Sequence, residues 1–153
     1  MPAIWQSTGL RTSQSAIILA TSFTATTTLF TVTGHIWVMG LYVVVTTTMA
    51  ATGCTIQFAA KVGALTAVTV SNATADLNAM TAGTIVLPNT TFTTTASNNA
   101  NGVLIAVPIT APPIAFMMSG SGTIYAAMGA TPASGAIQAQ MLWAPMSPGA
   151  TVA

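Results

Sequence analysis

The sequence predicts an all-β protein, an antiparallel β-sandwich or jelly-roll-like fold of eight or nine short strands with one short connector helix. Three observations lead to this fold class. Threonine and alanine supply 28 residues each of the 153, and Thr, Val and Ile favour strands because a branched Cβ packs well on a pleated surface. Glycine and proline divide the chain into segments of strand length. Several of these segments alternate apolar and polar residues with a period of two.

The predicted strands are short segments bounded by turn-forming residues. They cover residues 28–33, 36–45, 54–60, 65–70, 84–87, 103–107, 114–118, 122–128 and 135–143. The segment 36–45 is apolar on both faces, which is typical of a strand buried on both sides, between two sheets or under an oligomer contact. Gly40 is expected to form a bulge within it. Such spacing is typical of an antiparallel sandwich.

The strongest hairpin signal lies in the C-terminal third. Residues 122–128 and 135–143 are predicted to pair with each other through the loop 129–134. The second arm alternates strictly, and its apolar positions are Ile137, Ala139, Met141 and Trp143.

The segment 75–80 carries the helical signals of this sequence. Thr74 is a suitable N-cap, and Gly83 stands just past the end. Asp76 would lie in the first turn, where a carboxylate suits the positive end of the helix dipole. At about two turns this helix would be a connector.

The chain length predicts one domain. We expect a single β-sandwich over residues 26–153, preceded by an extended N-terminal arm over residues 1–25. The arm contains Trp5, and also Ile17, Ile18 and Leu19. An apolar anchor on a terminal arm is often an intersubunit contact, so we expect this arm to reach a neighbouring subunit.

Charge is nearly absent, and this excludes several functions. Arg11, Lys61 and Asp76 are the charged residues, 2% of the chain, against about 25% in ordinary soluble domains. Two cations cannot neutralise a phosphate backbone, so we expect no nucleic-acid partner. One carboxylate and the lone His35 offer little for acid–base catalysis, and we expect no enzyme and no small-molecule substrate. Cys54 has no second cysteine nearby, which disfavours a metal site, and no cofactor is expected.

A membrane partner is not expected from the hydropathy pattern. The longest bulky apolar run is residues 35–45, whereas a spanning helix needs about 20 residues. The apolar block 16–20 is too short for a signal peptide and no basic cluster precedes it.

Four short motifs resemble a broad group of tailed-bacteriophage structural proteins. They are LFTVTG at 29–34, ADL at 75–77 with AGT at 82–84, GTI at 122–124, and WAPMSPGATV at 143–152. The resemblance covers roughly residues 28 to 153. Trp143 and Met146 replace the tyrosine and leucine usual in that group, and the charges scattered through its members are almost absent here.

The resemblance implies a non-enzymatic capsid decoration (cement) protein on the outer surface of the virion. Its partners would be the major capsid protein and copies of itself, as a homotrimer. Residues expected at assembly contacts are Trp5, Arg11, Ile17, Ile18, Leu19, Lys61 and Asp76. A phage tail or head-fibre component is the alternative within structural proteins. A carbohydrate-binding module is an alternative of another class, for which the candidate aromatic platforms are Trp5, Trp37, Tyr42, Tyr125 and Trp143.

Overall fold

The computed structural model describes residues 9–19, 22–23, 26–50, 54–74, 76–87, 103–105 and 115–153. Within these residues the chain forms two antiparallel sheets, which confirms the all-β sandwich. The strands are β1 (Arg11–Gln14), β2 (Ile18–Leu19), β3 (Thr27–Thr33), β4 (Ile36–Ala50), β5 (Ile56–Val62), β6 (Val68–Thr69), β7 (Ile85–Val86), β8 (Val103–Ile105), β9 (Phe116–Met118), β10 (Gly122–Met128), β11 (Ser134–Pro145) and β12 (Thr151–Val152).

The first sheet has the order β1-β11-β4-β9-β8, with β2 also paired to β11 and β7 also paired to β4. The second sheet has the order β12-β3-β10-β5-β6. The inward side chains of both sheets form one hydrophobic core, whose largest fully buried members include Phe30, Phe58 and Phe116.

The predicted hairpin of residues 122–128 and 135–143 is wrong, because its two arms lie in different sheets. Strand β10 lies between β3 and β5 in the second sheet, whereas β11 lies between β4 and the N-terminal strands in the first. Each strand already has neighbours on both edges, so neither has an edge left for the other. The predicted alternation is confirmed, because Ile137, Ala139, Met141 and Trp143 are all buried.

Strand β4 is longer than predicted and is bulged. Its register against β11 shifts between Val38 and Gly40, so that Met39 is the extra residue beside the glycine where a bulge is expected. The inner face of β4 is in the core, but its outer face is open in this chain, since Trp37 is 41% exposed. Of the two explanations for an apolar strand, burial between two sheets is therefore wrong for this outer face.

The predicted connector helix at 75–80 is wrong for the described residues, which form a turn around Asn78 and Ala79. Short segments gain little from internal hydrogen bonds, and this one bonds to neighbouring strands instead. The Leu77 amide donates to the Cys54 carbonyl (2.8 Å), and the Ala79 amide donates to the Met49 carbonyl (3.0 Å). Ala79 itself has a φ of 61°, outside the helical region.

No helix among the described residues has the length and apolar character needed to cross a membrane.

Side-chain oxygens pair with the part of the β5 edge that β6 leaves open. The amides of Ile56 and Phe58 donate to Thr74 Oγ1 (2.9 Å) and Ser71 Oγ (2.8 Å). In return, the Ile56 carbonyl accepts from the Thr74 amide (2.8 Å). Thr74, predicted as a helix N-cap, thus closes a sheet edge, which blocks pairing with another chain there.

Part of the predicted N-terminal arm belongs to the first sheet. Strands β1 and β2 pair with β11 from Arg11↔Trp143 to Ile18↔Ile137. Between them, Ser15 Oγ accepts the Ala139 amide (2.9 Å) and so bridges the gap in the ladder. Within the predicted arm of residues 1–25, the segment 11–19 is therefore paired with β11 as part of the first sheet.

Candidate functional site

Arg11 has a structural contact at the edge of the first sheet. Its guanidinium lies 5.3 Å from the ring centroid of Trp143, which is its register partner on β11. The Trp143 ring is 3% exposed, and its Nε1 donates to Ser13 Oγ (3.1 Å). The Arg11 guanidinium and the Ser13 hydroxyl together cover the tryptophan. At an exposed site a cation–π contact contributes about 0.5–1 kcal/mol.

Asp76 is also occupied by the fold. Its Oδ1 accepts the amides of Cys54 (3.1 Å) and Asn78 (3.1 Å). The carboxylate therefore extends the row of side-chain acceptors along the edge of β5 and also holds the turn that replaces the predicted helix. Hydrogen bonds to a carboxylate are about twice as strong as neutral ones.

Lys61 differs from the other two charged residues. It lies half-buried on β5, and its ammonium group has no ion-pair or hydrogen-bond partner among the residues that the structure describes. Among the described residues, Arg11 and Asp76 have structural contacts, whereas this cation has no ion pair or hydrogen bond.

Lys61 lines an open groove of about 520 Å³ on the outer face of the second sheet. Its lining includes Thr28, Lys61, Leu65, Thr66, Thr123 and Tyr125, and we call it the hydroxyl groove. The strand register determines which of these residues form its floor. Tyr125 lies opposite Thr28 and Ala59, and Thr123 lies opposite Lys61. One wall is the turn between β5 and β6.

The hydroxyl-bearing side chains of the groove are accessible. Thr28 and Thr66 are exposed, and Thr123 and Tyr125 are half-buried. The side chains of Thr28, Thr66, Thr123 and Tyr125 have no intramolecular hydrogen-bond partner among the described residues. Their polar atoms can therefore bind solvent or a ligand.

The outer face of the first sheet has the opposite chemistry. Six apolar side chains share it, and we call them the apolar patch: Trp37, Met39, Val44, Ile85, Met117 and Leu142. The register places Trp37 opposite Met117 and Val44 opposite Ile85, so members of neighbouring strands adjoin. Ile85 is 59% exposed. The same face also carries the polar residues Tyr42, Gln138 and Gln140, and its described strand residues include no charged side chain.

Residues with reactive side chains are dispersed or buried. Within the described ranges, no three His, Cys, Asp or Glu residues come together as a metal site. Cys54 is a free, fully buried thiol, as expected for a small hydrophobe. Burial, with a smaller effect from the Asp76 charge, raises the pKa of the Cys54 thiol above its ordinary value of 9.0. His35 is exposed, and its amide donates to Ser147 Oγ (2.9 Å).

The remaining residues expected at assembly contacts separate into two groups. Ile18 is in the core, whereas Ile17 and Leu19 are 58% and 56% exposed. Trp5 lies outside the described residues. The structure does not gather Arg11, Lys61 and Asp76 into one site, since they lie on β1, on β5 and in the turn beside β5.

Neither outer face is predicted as a site from the sequence. Lys61, Trp37 and Tyr125 are separate candidates in the sequence, and their grouping with neighbouring residues comes from the structure. The available signal was the alternation within residues 122–128, where Thr123 and Tyr125 fall on the same face. The pairing of that face with Thr28 and Lys61 depends on strand order, which the alternation does not contain.

Comparison of the chain with protein-family models, with curated proteins and with solved structures finds no match.

Proposed function

We propose that this protein is a non-enzymatic structural protein that packs against copies of itself within a larger assembly, with the apolar patch as its contact surface. The observation that carries the proposal is an uncharged outer sheet face with exposed Trp37 and Ile85. Large exposed apolar side chains that share one sheet face are typical of interaction sites in soluble proteins. Tryptophan is also among the residues enriched where interfaces derive most of their affinity.

The scarcity of charge supports the same proposal. Burying an unpaired charge in an interface costs several kcal/mol, and the described strand residues of this uncharged face carry no such cost. A net charge of +1 also gives little repulsion between copies. The chain is therefore suited to close packing with identical neighbours.

The finer form of the proposal is a capsid decoration protein that binds the major capsid protein on a phage head. It rests on the resemblance of residues 28 to 153 to tailed-bacteriophage structural proteins. In this form the apolar patch covers seams between shell subunits, and the protein is present as a homotrimer on the outer surface of the capsid.

Self-association can be tested with the purified chain alone. We expect concentration-dependent oligomers in sedimentation velocity, with a trimer as the main species. Trp37→Asp places an unpaired carboxylate in the contact. A cost of about 3 kcal/mol for that buried charge corresponds to an association about 100-fold weaker.

The matched control is Thr33→Asp, which adds the same charge at an exposed position of β3 on the second sheet. It should leave the association unchanged, and circular dichroism should show both variants folded. A wild-type chain that stays monomeric at high concentration contradicts the proposal. So does a Trp37→Asp variant that associates as well as Thr33→Asp.

The proposed role in the virion has to be tested on purified phage particles. Mass spectrometry of a purified phage should find the chain at a copy number comparable with that of the major capsid protein. A far smaller copy number would indicate the tail or head-fibre alternative. Absence of the chain from every particle fraction would contradict both.

The carbohydrate-binding alternative retains one favourable observation, the hydroxyl groove around Tyr125. Of its other candidate platforms, Trp143 is buried under Arg11, and Tyr42 is half-buried with its hydroxyl donating to Gln140 Oε1 (3.1 Å). Trp37 belongs to the apolar patch. The groove is therefore the place where this alternative can be tested.

A further inference from the structure

We propose that the hydroxyl groove binds a saccharide that carries a carboxylate, a sugar acid of the uronic type, with Lys61 pairing to the carboxylate and Tyr125 packing against the sugar ring. This site is separate from the apolar patch, and it does not depend on the proposed assembly function.

The position of the lysine is the first argument. In a chain with three charged residues, Arg11 covers Trp143 and Asp76 holds two backbone amides. Lys61 has no such contact among the described residues, and it lies in the groove. A half-buried ammonium without a partner attracts an anion, and the surrounding side chains provide no competing negative charge.

The residues around Lys61 indicate which other chemical groups the ligand carries. Thr28, Thr66 and Thr123 bring hydroxyls that both donate and accept hydrogen bonds, which suits a ligand bearing several hydroxyl groups. Tyr125 offers a half-buried aromatic ring and lies opposite the small Ala59. A sugar ring has an apolar face of C–H groups and a rim of hydroxyls, and it therefore matches a ring bordered by threonines.

The size and shape of the groove agree with this ligand. A volume of about 520 Å³ falls within the roughly 300–1,000 Å³ of ligand pockets. The groove is open along the sheet, which admits one part of a longer polysaccharide chain. A simple carboxylate such as acetate would use Lys61 but would leave the threonines and Tyr125 without a role.

The test is isothermal titration of the full chain with a trisaccharide of galacturonic acid. Controls are a neutral galactose trisaccharide, sodium acetate and a tetraglutamate peptide. We expect the galacturonate to bind most tightly, and to bind more weakly as salt is raised, because screening weakens an exposed ion pair. Lys61→Met keeps the aliphatic stem and should lower the affinity about five- to tenfold. Tyr125→Ala should lower it as well.

Arg11→Gln is the matched control, since it also removes one positive charge but from the edge of the other sheet. It should leave galacturonate binding unchanged. Binding of the tetraglutamate or acetate as tight as that of the galacturonate would overturn the proposal, and so would equal binding of the neutral trisaccharide. No binding of any saccharide, or galacturonate binding that Lys61→Met leaves unchanged, would overturn it too.

Discussion

Ser71→Ala is the substitution that most directly tests the closed edge of β5. Ser71 is 1% exposed, and its Oγ accepts the amide of Phe58 at 2.8 Å while it donates to the Asn72 carbonyl at 2.9 Å. Phe58 is itself 1% exposed. Alanine would therefore leave a buried amide donor without an acceptor, in a place that water does not reach.

The magnitude follows from that amide. A buried donor that loses its partner costs about 1–3 kcal/mol of unfolding free energy. In a domain of this size each kcal/mol lowers the melting temperature by about 2–4 °C. The Val70 amide still donates to the Phe58 carbonyl, so the edge should loosen locally without the sandwich unfolding.

The assay is thermal unfolding by circular dichroism, combined with hydrogen exchange of the Phe58 amide by NMR. The matched control is Ser134→Ala, which removes a hydroxyl from an exposed position on β11 and should change stability by less than about 0.5 kcal/mol. Equal melting temperatures for the two variants would refute the reasoning, as would unchanged exchange at Phe58.

Three further predictions concern single positions. Gly135 has a φ of 117°, and an added Cβ would lie 2.6 Å from Met49 Sδ. Gly83 has a similar positive φ of 89°, but an added Cβ there would meet open space. Gly135→Ala should therefore lower the free energy of unfolding in urea more than Gly83→Ala does. Equal costs would show that the contact with Met49 is unimportant. Thr46 Oγ1 is buried without a hydrogen-bond partner among the described residues, so Thr46→Val should leave the melting temperature unchanged or raise it, and a clear decrease would contradict this. The raised pKa of Cys54 means that the folded chain holds the thiol proton more tightly than the unfolded chain. Stability from this group is fully present below pH 9.0 and is lost as pH rises through the raised pKa. Chemical unfolding from pH 8 to 11 should show that the free energy of unfolding decreases less for Cys54→Ala than for the wild type. Identical decreases in the two proteins would exclude a contribution from the thiol.

Strand positions and inner faces were largely predictable from the sequence. Alternation in β11 places Ile137, Met141 and Trp143 inward, and all three are buried. This works because successive side chains in a strand point to opposite faces whatever the partner strand is. Strand β10 has the predicted bounds, because Gly122 and Gly129 mark its two ends in the sequence.

Strand order could not be predicted in this way. The loop 129–134 is short enough for a hairpin, yet it crosses from the second sheet to the first. Alternation indicates which face is buried, but it is equally satisfied by any partner with a complementary face. The choice between β5 and β11 as the neighbour of β10 depends on the packing of the whole core.

The connector helix failed for a related reason. Thr74 and Asp76 are good helix-capping residues because their oxygens accept backbone amides. In the structure they accept the amides of Ile56, the first residue of β5, and of Cys54 just before it, which lie 18 and 22 residues earlier in the chain. Asp76 also accepts the local Asn78 amide. The residue types indicated an acceptor role correctly, but the donors at β5 are non-local.

The two proposals place different chemistry on opposite sides of the sandwich, and this leads to a last prediction. Trp37 points outward from the first sheet and Lys61 from the second. Because stacked sheets lie about 10 Å apart, side chains on the two outer faces are too far apart to share contacts. Trp37→Asp should weaken self-association and leave galacturonate affinity unchanged. Lys61→Met should lower galacturonate affinity and leave self-association unchanged. The double variant should show both effects, each within about 0.5 kcal/mol of its single-variant value. Coupling larger than this between the two effects would mean that the groove is formed or covered by a neighbouring copy. The apolar patch and the hydroxyl groove would then be parts of one interface.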